Sequence, residues 1–135
     1  MDHTRARITK DGIRIHDDAD FAGMRAAGQM AAEILDGVAP LVQPGVTTAA
    51  LDDYIRTEVE RLGGTSATIG YKGYRHASCI SVNHVVCHGI PGAKTLIDGD
   101  ITNIDVTVIV DGWYGDTSRM YVADVPPSRS TSVRI

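Results

Sequence analysis

The last third of this chain is short of the side chains that most often do chemistry. No histidine follows His88, no glutamate follows Glu60, and the only acidic side chain beyond Asp116 is Asp124. Cysteine is scarce too. Cys79 and Cys87 are the only two, and no CxxC or Cys–His zinc spacing is present, so a disulfide-stapled scaffold and a zinc knuckle are both excluded. In a reducing compartment the pair is expected as packed thiols. No apolar run approaches the roughly 20 residues that cross a bilayer. The opening "MDHTRARITKDG" lacks the apolar segment of a secretory signal, so the expected location is the cytoplasm. Basic residues are not in excess: 13 Lys and Arg stand against 17 Asp and Glu, for a net charge of −4, which argues against a nucleic-acid or anionic-membrane partner. No internal repeat or low-complexity stretch is present.

What remains is the composition of one ordinary globular domain of 135 residues, 43% hydrophobic and 22% charged. Phe21, Met24, Gly28, Ala31, Leu35 and Val38 recur at spacings of three and four, which predicts an amphipathic helix. Asp18 or Asp20 can cap it, and Pro40 with "QPG" at 43–45 ends it. A second helix is expected from Thr47 or Thr48, with Asp52 and Asp53 in its first turn. Leu51, Ile55, Val59 and Leu62 form its buried face, and Gly63-Gly64 its stop.

From Ala67 the sequence turns β-rich, in "SATIGY", "SCISV", "VVCHGI" and a long pair around 101–122. Helices followed by strands predict an α+β fold, with both helices on one face of an antiparallel sheet. "GAKTLIDG" at 92–99 reads as a polar loop. Residues 1–125 form the expected domain, and 126–135 read as a Pro/Ser/Arg-rich tail.

In 101–110, alternation puts Thr102, Ile104, Val106, Val108 and Val110 towards the helices and Ile101, Asn103, Asp105, Thr107 and Ile109 on the other face. "DG" at 111–112 is a favoured two-residue turn. It pairs Val110 with Trp113 and Thr107 with Asp116, so Asp116 lies diagonal to Asp105 on one face. Two converging carboxylates without a basic neighbour call for protonation or a bridging cation. The alternative stays open that each simply faces water or, for "GDTS" at 115–118, begins a turn.

Taken together, "GYKGY" at 70–74, "SCISVNHVVCHGIP" at 78–91, "GDITNIDVTV" at 99–108 and "GDTSRM" at 115–120 closely resemble the bacterial type I methionine aminopeptidases. "MRAAGQMAAEILDGVAPLVQPGVTTAALD" at 24–52 is similar to the N-terminal half of that family. The resemblance implies half of a pita-bread fold and the removal of initiator methionine from nascent chains by a metal-activated water. It implies Asp105 and Asp116 as metal ligands and His88 as the catalytic histidine that contacts substrate beside the scissile peptide. Tyr71, Tyr74 and Cys79, with His88, would bind the methionyl substrate. Aromatic and sulfur groups suit an unbranched thioether. Two divalent ions per complete site are implied, of cobalt, manganese, iron or zinc. Thr68 stands where the family usually has a further pocket cysteine, and His84 where it usually has glutamate. His3, His16 and His76 have no counterpart and are expected at the surface.

The family completes its site with one His and two Glu from the second half of its fold, and none of these is found after Asp116. The isolated chain is therefore expected to be inactive alone. The alternative is a non-catalytic half-domain that binds a peptide or partner, or forms a homodimer, through an exposed sheet.

Overall fold

The computed structural model describes residues 7–124. A short ribbon, β1 (Arg7–Ile8) and β2 (Arg14–Ile15), precedes helices α1 (Asp18–Val38) and α2 (Thr48–Arg61). Strands β3 (Thr65–Ser66), β4 (Ser78–Val82), β5 (Ile101–Val110) and β6 (Trp113–Val122) follow. β5 is the axis of the antiparallel four-stranded sheet. β6 pairs along the whole of one edge, while β3 and β4 share the other, β4 opposite residues 102–106 and β3 opposite 108–109. α1 covers β5 and β6, and α2 lies over β3 and β4, all on one face of the sheet. The architecture is α+β, as the order of elements predicts. His3 and the proposed tail at 126–135 lie outside the described residues.

The core is where the two periodicities meet. Ile34, Leu35 and Val38 of α1, Leu51 and Ile55 of α2, and Ile104, Val106 and Val108 of β5 are all sealed from solvent. Val110 lies partly buried against the same cluster. The hairpin turn has positive φ at both Asp111 and Gly112, as a two-residue turn of this hand requires, and the pairing Val110–Trp113 and Thr107–Asp116 follows. Gly115 of β6 touches the α1 backbone so closely that a Cβ there would collide with the Ala27 carbonyl. Tyr121 ties the same two elements, its hydroxyl donating to the Leu35 carbonyl at 2.6 Å.

Several local expectations are corrected. The cap of α1 is Asp17, whose side chain accepts from Ala19 and Asp20 N–H, while Asp20 completes a capping box as the third helical residue. Phe21 and Met24 lie at 42% and 40% exposure, outside the buried face. Ala27 and Ile34 belong to the buried face instead. α2 is capped, as expected, by Thr47, which accepts from Ala50 N–H. Asp52 is not a first-turn dipole partner but is buried in the core. In "SATIGY" only Ser66 is strand, followed by bends and a 3₁₀ turn at Tyr71–Gly73. "VVCHGI" is loop throughout. Both segments carry β-favouring side chains, yet beyond Ser66 neither forms a ladder; Ala67 N–H to the Thr107 carbonyl and Ile80 N–H to the Gly89 carbonyl are single bonds to the sheet. Cys79 is half-buried and Cys87 exposed, both free, so only the first is packed.

Candidate functional site

The face of the sheet turned away from the helices gathers the residues that sequence singled out. Asp105, in the middle of β5, sits opposite Cys79 of β4 on one side and Ser118 of β6 on the other. Asp116 lies on the neighbouring strand, opposite Thr107, whose hydroxyl donates to Asp116 Oδ1 at 3.1 Å. The two carboxyl groups interact directly. Burial, then the charge of Asp116 and a hydrogen bond between the two, push the Asp105 carboxyl above the usual aspartate range, while the nearby His88 pulls it back. The strands themselves offer no neutralising cation on that face. Arg119, the one basic residue of β6, points to the helix side and bonds Asp36 at 2.6 Å.

His88 stands on the 83–91 loop, near enough for its charge to act on Asp105. That loop folds back along β4, with Ile80 N–H donating to the Gly89 carbonyl at 2.8 Å and Gly89 N–H to Ser81 Oγ at 2.9 Å. His88 has φ of 56°, a left-handed conformation unusual for a residue with a side chain, and its ring is exposed. Strain of this kind is tolerated where the surrounding backbone fixes it.

Tyr74 and Cys79 are also brought together, with Sγ 3.6 Å from the phenol oxygen. The Tyr74 hydroxyl donates to the Ser78 carbonyl at 2.8 Å. Burial, then the Cys79 contact, drive its pKa well above that of a free phenol. Tyr71 is different: it is 65% exposed, at the head of a 3₁₀ turn, with the Lys72 ammonium 5.5 Å from its ring centroid. Thr68 donates to the His76 carbonyl at 2.7 Å and braces the same loop. His84 is exposed.

His16 and His76 are less peripheral than expected. His16 contacts Asp20 at 3.1 Å and meets Trp113 edge-on. His76 contacts the buried Asp52, which also takes a hydrogen bond from Ser78. The Asp52 network was not visible in the sequence, because one aspartate in a helix reads as solvated by default. Its place between the buried Leu51 and Ile55 was the available signal.

As a donor set for a divalent ion, the site fits in part. Two adjacent carboxylates whose mutual repulsion is already expressed at Asp105 offer the hard oxygen ligands such an ion prefers. Among the described residues, however, no group of three or more His, Cys, Asp or Glu side chains stands ready to hold an ion.

This combination of helix-backed sheet and central aspartate pair has close relatives. Residues 22–133 match metallopeptidase family M24, and the chain belongs to that family. Within it, the chain is 55% identical over 114 residues to the methionine aminopeptidase of Rickettsia prowazekii, matching 84% of this chain and 44% of the relative, in its N-terminal half. It is 52% identical to the Escherichia coli enzyme of the same name, with the same coverage. The crystal structure of the Rickettsia prowazekii enzyme superimposes with a TM-score of 0.82, covering 84% of this chain and 46% of that one. That of Thermotoga maritima methionine aminopeptidase gives 0.79 at 32% identity, covering 86% and 47%. A Bacillus anthracis Xaa-Pro dipeptidase, at 18% identity and a TM-score of 0.70, shares the fold over 84% of this chain and 31% of its own. The chain is thus a pita-bread half-domain that spans less than half the length of these relatives. No helix among the described residues is long and apolar enough to cross a membrane.

Proposed function

We propose that this chain supplies the aspartate-bearing half of a methionine aminopeptidase site, which removes N-terminal methionine from nascent chains in the cytoplasm. The observation that carries the reading is the pairing of Asp105 with Asp116 on the open face, where burial and the neighbouring charge raise the Asp105 pKa and the charge of His88 acts against that rise. Asp105 and Asp116 would hold divalent metal. Such an ion supplies the Lewis acidity that peptide hydrolysis needs at neutral pH. His88 would donate to a substrate carbonyl beside the carboxylates. Tyr74 and Cys79 would form one wall of the methionine pocket, with Tyr71 closing over it from the loop.

Turnover needs more oxygen and nitrogen donors than two carboxylates provide. The 135-residue chain alone is therefore expected to release no methionine from a Met-Gly-Met-Met peptide in Mn²⁺ or Co²⁺. The positive test is a chimera in which residues 7–124 replace the matching half of the Rickettsia prowazekii enzyme. The chimera should release methionine, and Asp105→Ala in it should abolish release. A folded, metal-loaded chimera without activity would contradict the reading.

A second reading, a non-catalytic half-domain that pairs with a second copy, is favoured by one observation. Ile101, Tyr114, Met120 and Val122 expose apolar surface around the open face. Light scattering at high concentration decides it: a clean monomer removes it.

A further inference from the structure

The segment 75–78 is fastened to α2 at two points one helical turn apart. Asp52 is 2% exposed, accepts from Ser78 Oγ at 2.7 Å, and lies 3.3 Å from His76 Nδ1. Arg56, four residues on and so on the same side of the helix, donates through Nη2 to the Arg75 carbonyl at 2.8 Å. A carboxylate this deeply enclosed persists only where donors meet it, and a single hydroxyl leaves most of its acceptor capacity unused. With Asp52 as acceptor, His76 Nδ1 is the second donor.

The other side of the same segment forms part of the site. The Ser78 carbonyl takes the Tyr74 hydroxyl, the Tyr74 ring stands edge-on to His76 with centroids 5.4 Å apart, and Cys79 touches the Tyr74 oxygen. His76 therefore lies between the buried Asp52 and the Tyr74 ring, and Cys79 is the residue opposite Asp105 on β5. Movement of 76–78 away from α2 must carry Tyr74 and Cys79 with it.

We propose that Asp52 and His76 are positioning residues that fix the Tyr74–Cys79 wall beside Asp105, so that the helix layer sets the width of the side-chain pocket on the far face of the sheet. The identity of that pocket as one for an unbranched thioether rests on the function proposed above; the clamp itself does not. Asp52 and His76 reach no reacting group directly. Their effect passes through Ser78 and Tyr74.

The two free cysteines provide the readout, since Cys87 is exposed and Cys79 is half-buried behind Tyr74. Iodoacetamide labelling of the 135-residue chain, resolved by peptide mass spectrometry, gives the ratio of the Cys79 rate to the Cys87 rate. Asp52→Asn and His76→Ala should each raise that ratio at least about tenfold, and His76→Lys, which restores an N–H donor, should return it to within about twofold of the parent. The urea midpoint of each variant, measured alongside, separates local opening from global loss. Should Asp52→Asn fail to fold, the two His76 variants still decide. An unchanged ratio in His76→Ala, or a His76→Lys chain no better than His76→Ala, overturns the proposal. L-methioninamide added to the parent tests the pocket separately. Protection of Cys79 supports a methionine pocket, and its absence counts against that assignment, while the clamp stands or falls on the ratio alone.

Discussion

On one face of β5, Thr102, Ile104, Val106 and Val108 are sealed beneath the helices, whereas on the other Asn103, Asp105 and Thr107 stay half-buried and meet the exposed Asp116. The backbone and its ladder are shared, so the difference comes entirely from which side chains alternation sends each way. The covered face gains stability from burial. The open face gives some up, since it holds two carboxylates together without a basic neighbour from its own strands. On the function proposed above, this division separates the face that holds the fold from the face that would hold a ligand.

The contrast can be broken most severely from the covered side. Ile104→Ala removes a wholly buried side chain, and urea denaturation should show a loss of about 2–5 kcal/mol. Gly115→Ala should cost about 1–3 kcal/mol by the same measurement, since the new methyl group meets the α1 backbone at Ala27 and not a yielding side chain.

On the open face the sign reverses. Asp105 in the folded chain binds its proton more tightly than the usual value of 3.8. The folded state therefore loses stability as pH rises through the ordinary aspartate range up to the raised value, and that loss persists at neutral pH. Asp105→Asn should accordingly stabilise the metal-free chain at pH 7 by a few tenths to about 1 kcal/mol, with the gain vanishing near pH 3. A destabilised variant at pH 7 would show that the aspartate serves the fold. The smallest effect is expected at the exposed Arg119–Asp36 pair, where Arg119→Ala should change stability by less than about 1 kcal/mol, and less still in high salt.

The same contrast explains what could be read in advance. The register of the long hairpin was legible because Asp111-Gly112 admits few turn geometries and a period of two then fixes every partner as far as Ile101 and Val122. The helices were legible from the 3.6-residue stripe. Its N-terminal end was not, because Phe21 and Met24 continue the periodicity yet stay exposed. "VVCHGI" has strand composition, yet it wraps back on β4 to deliver His88, and no local signal distinguishes the two. For the site, the pairing of Asp105 and Asp116 followed from register alone. The Asp52–His76–Ser78 clamp did not, since it joins residues 24 and 26 positions apart through tertiary packing.

The central claim, that the aspartate pair on the open face is a divalent-metal site, is tested most directly by Mn²⁺ titration of the 135-residue chain followed by electron paramagnetic resonance. The parent is expected to bind one ion weakly, with a dissociation constant on the order of 10⁻³ M given so few protein ligands. The Asp105→Asn, Asp116→Asn double variant should lose that binding while remaining folded. Equal binding by parent and double variant would place the metal elsewhere and contradict the claim.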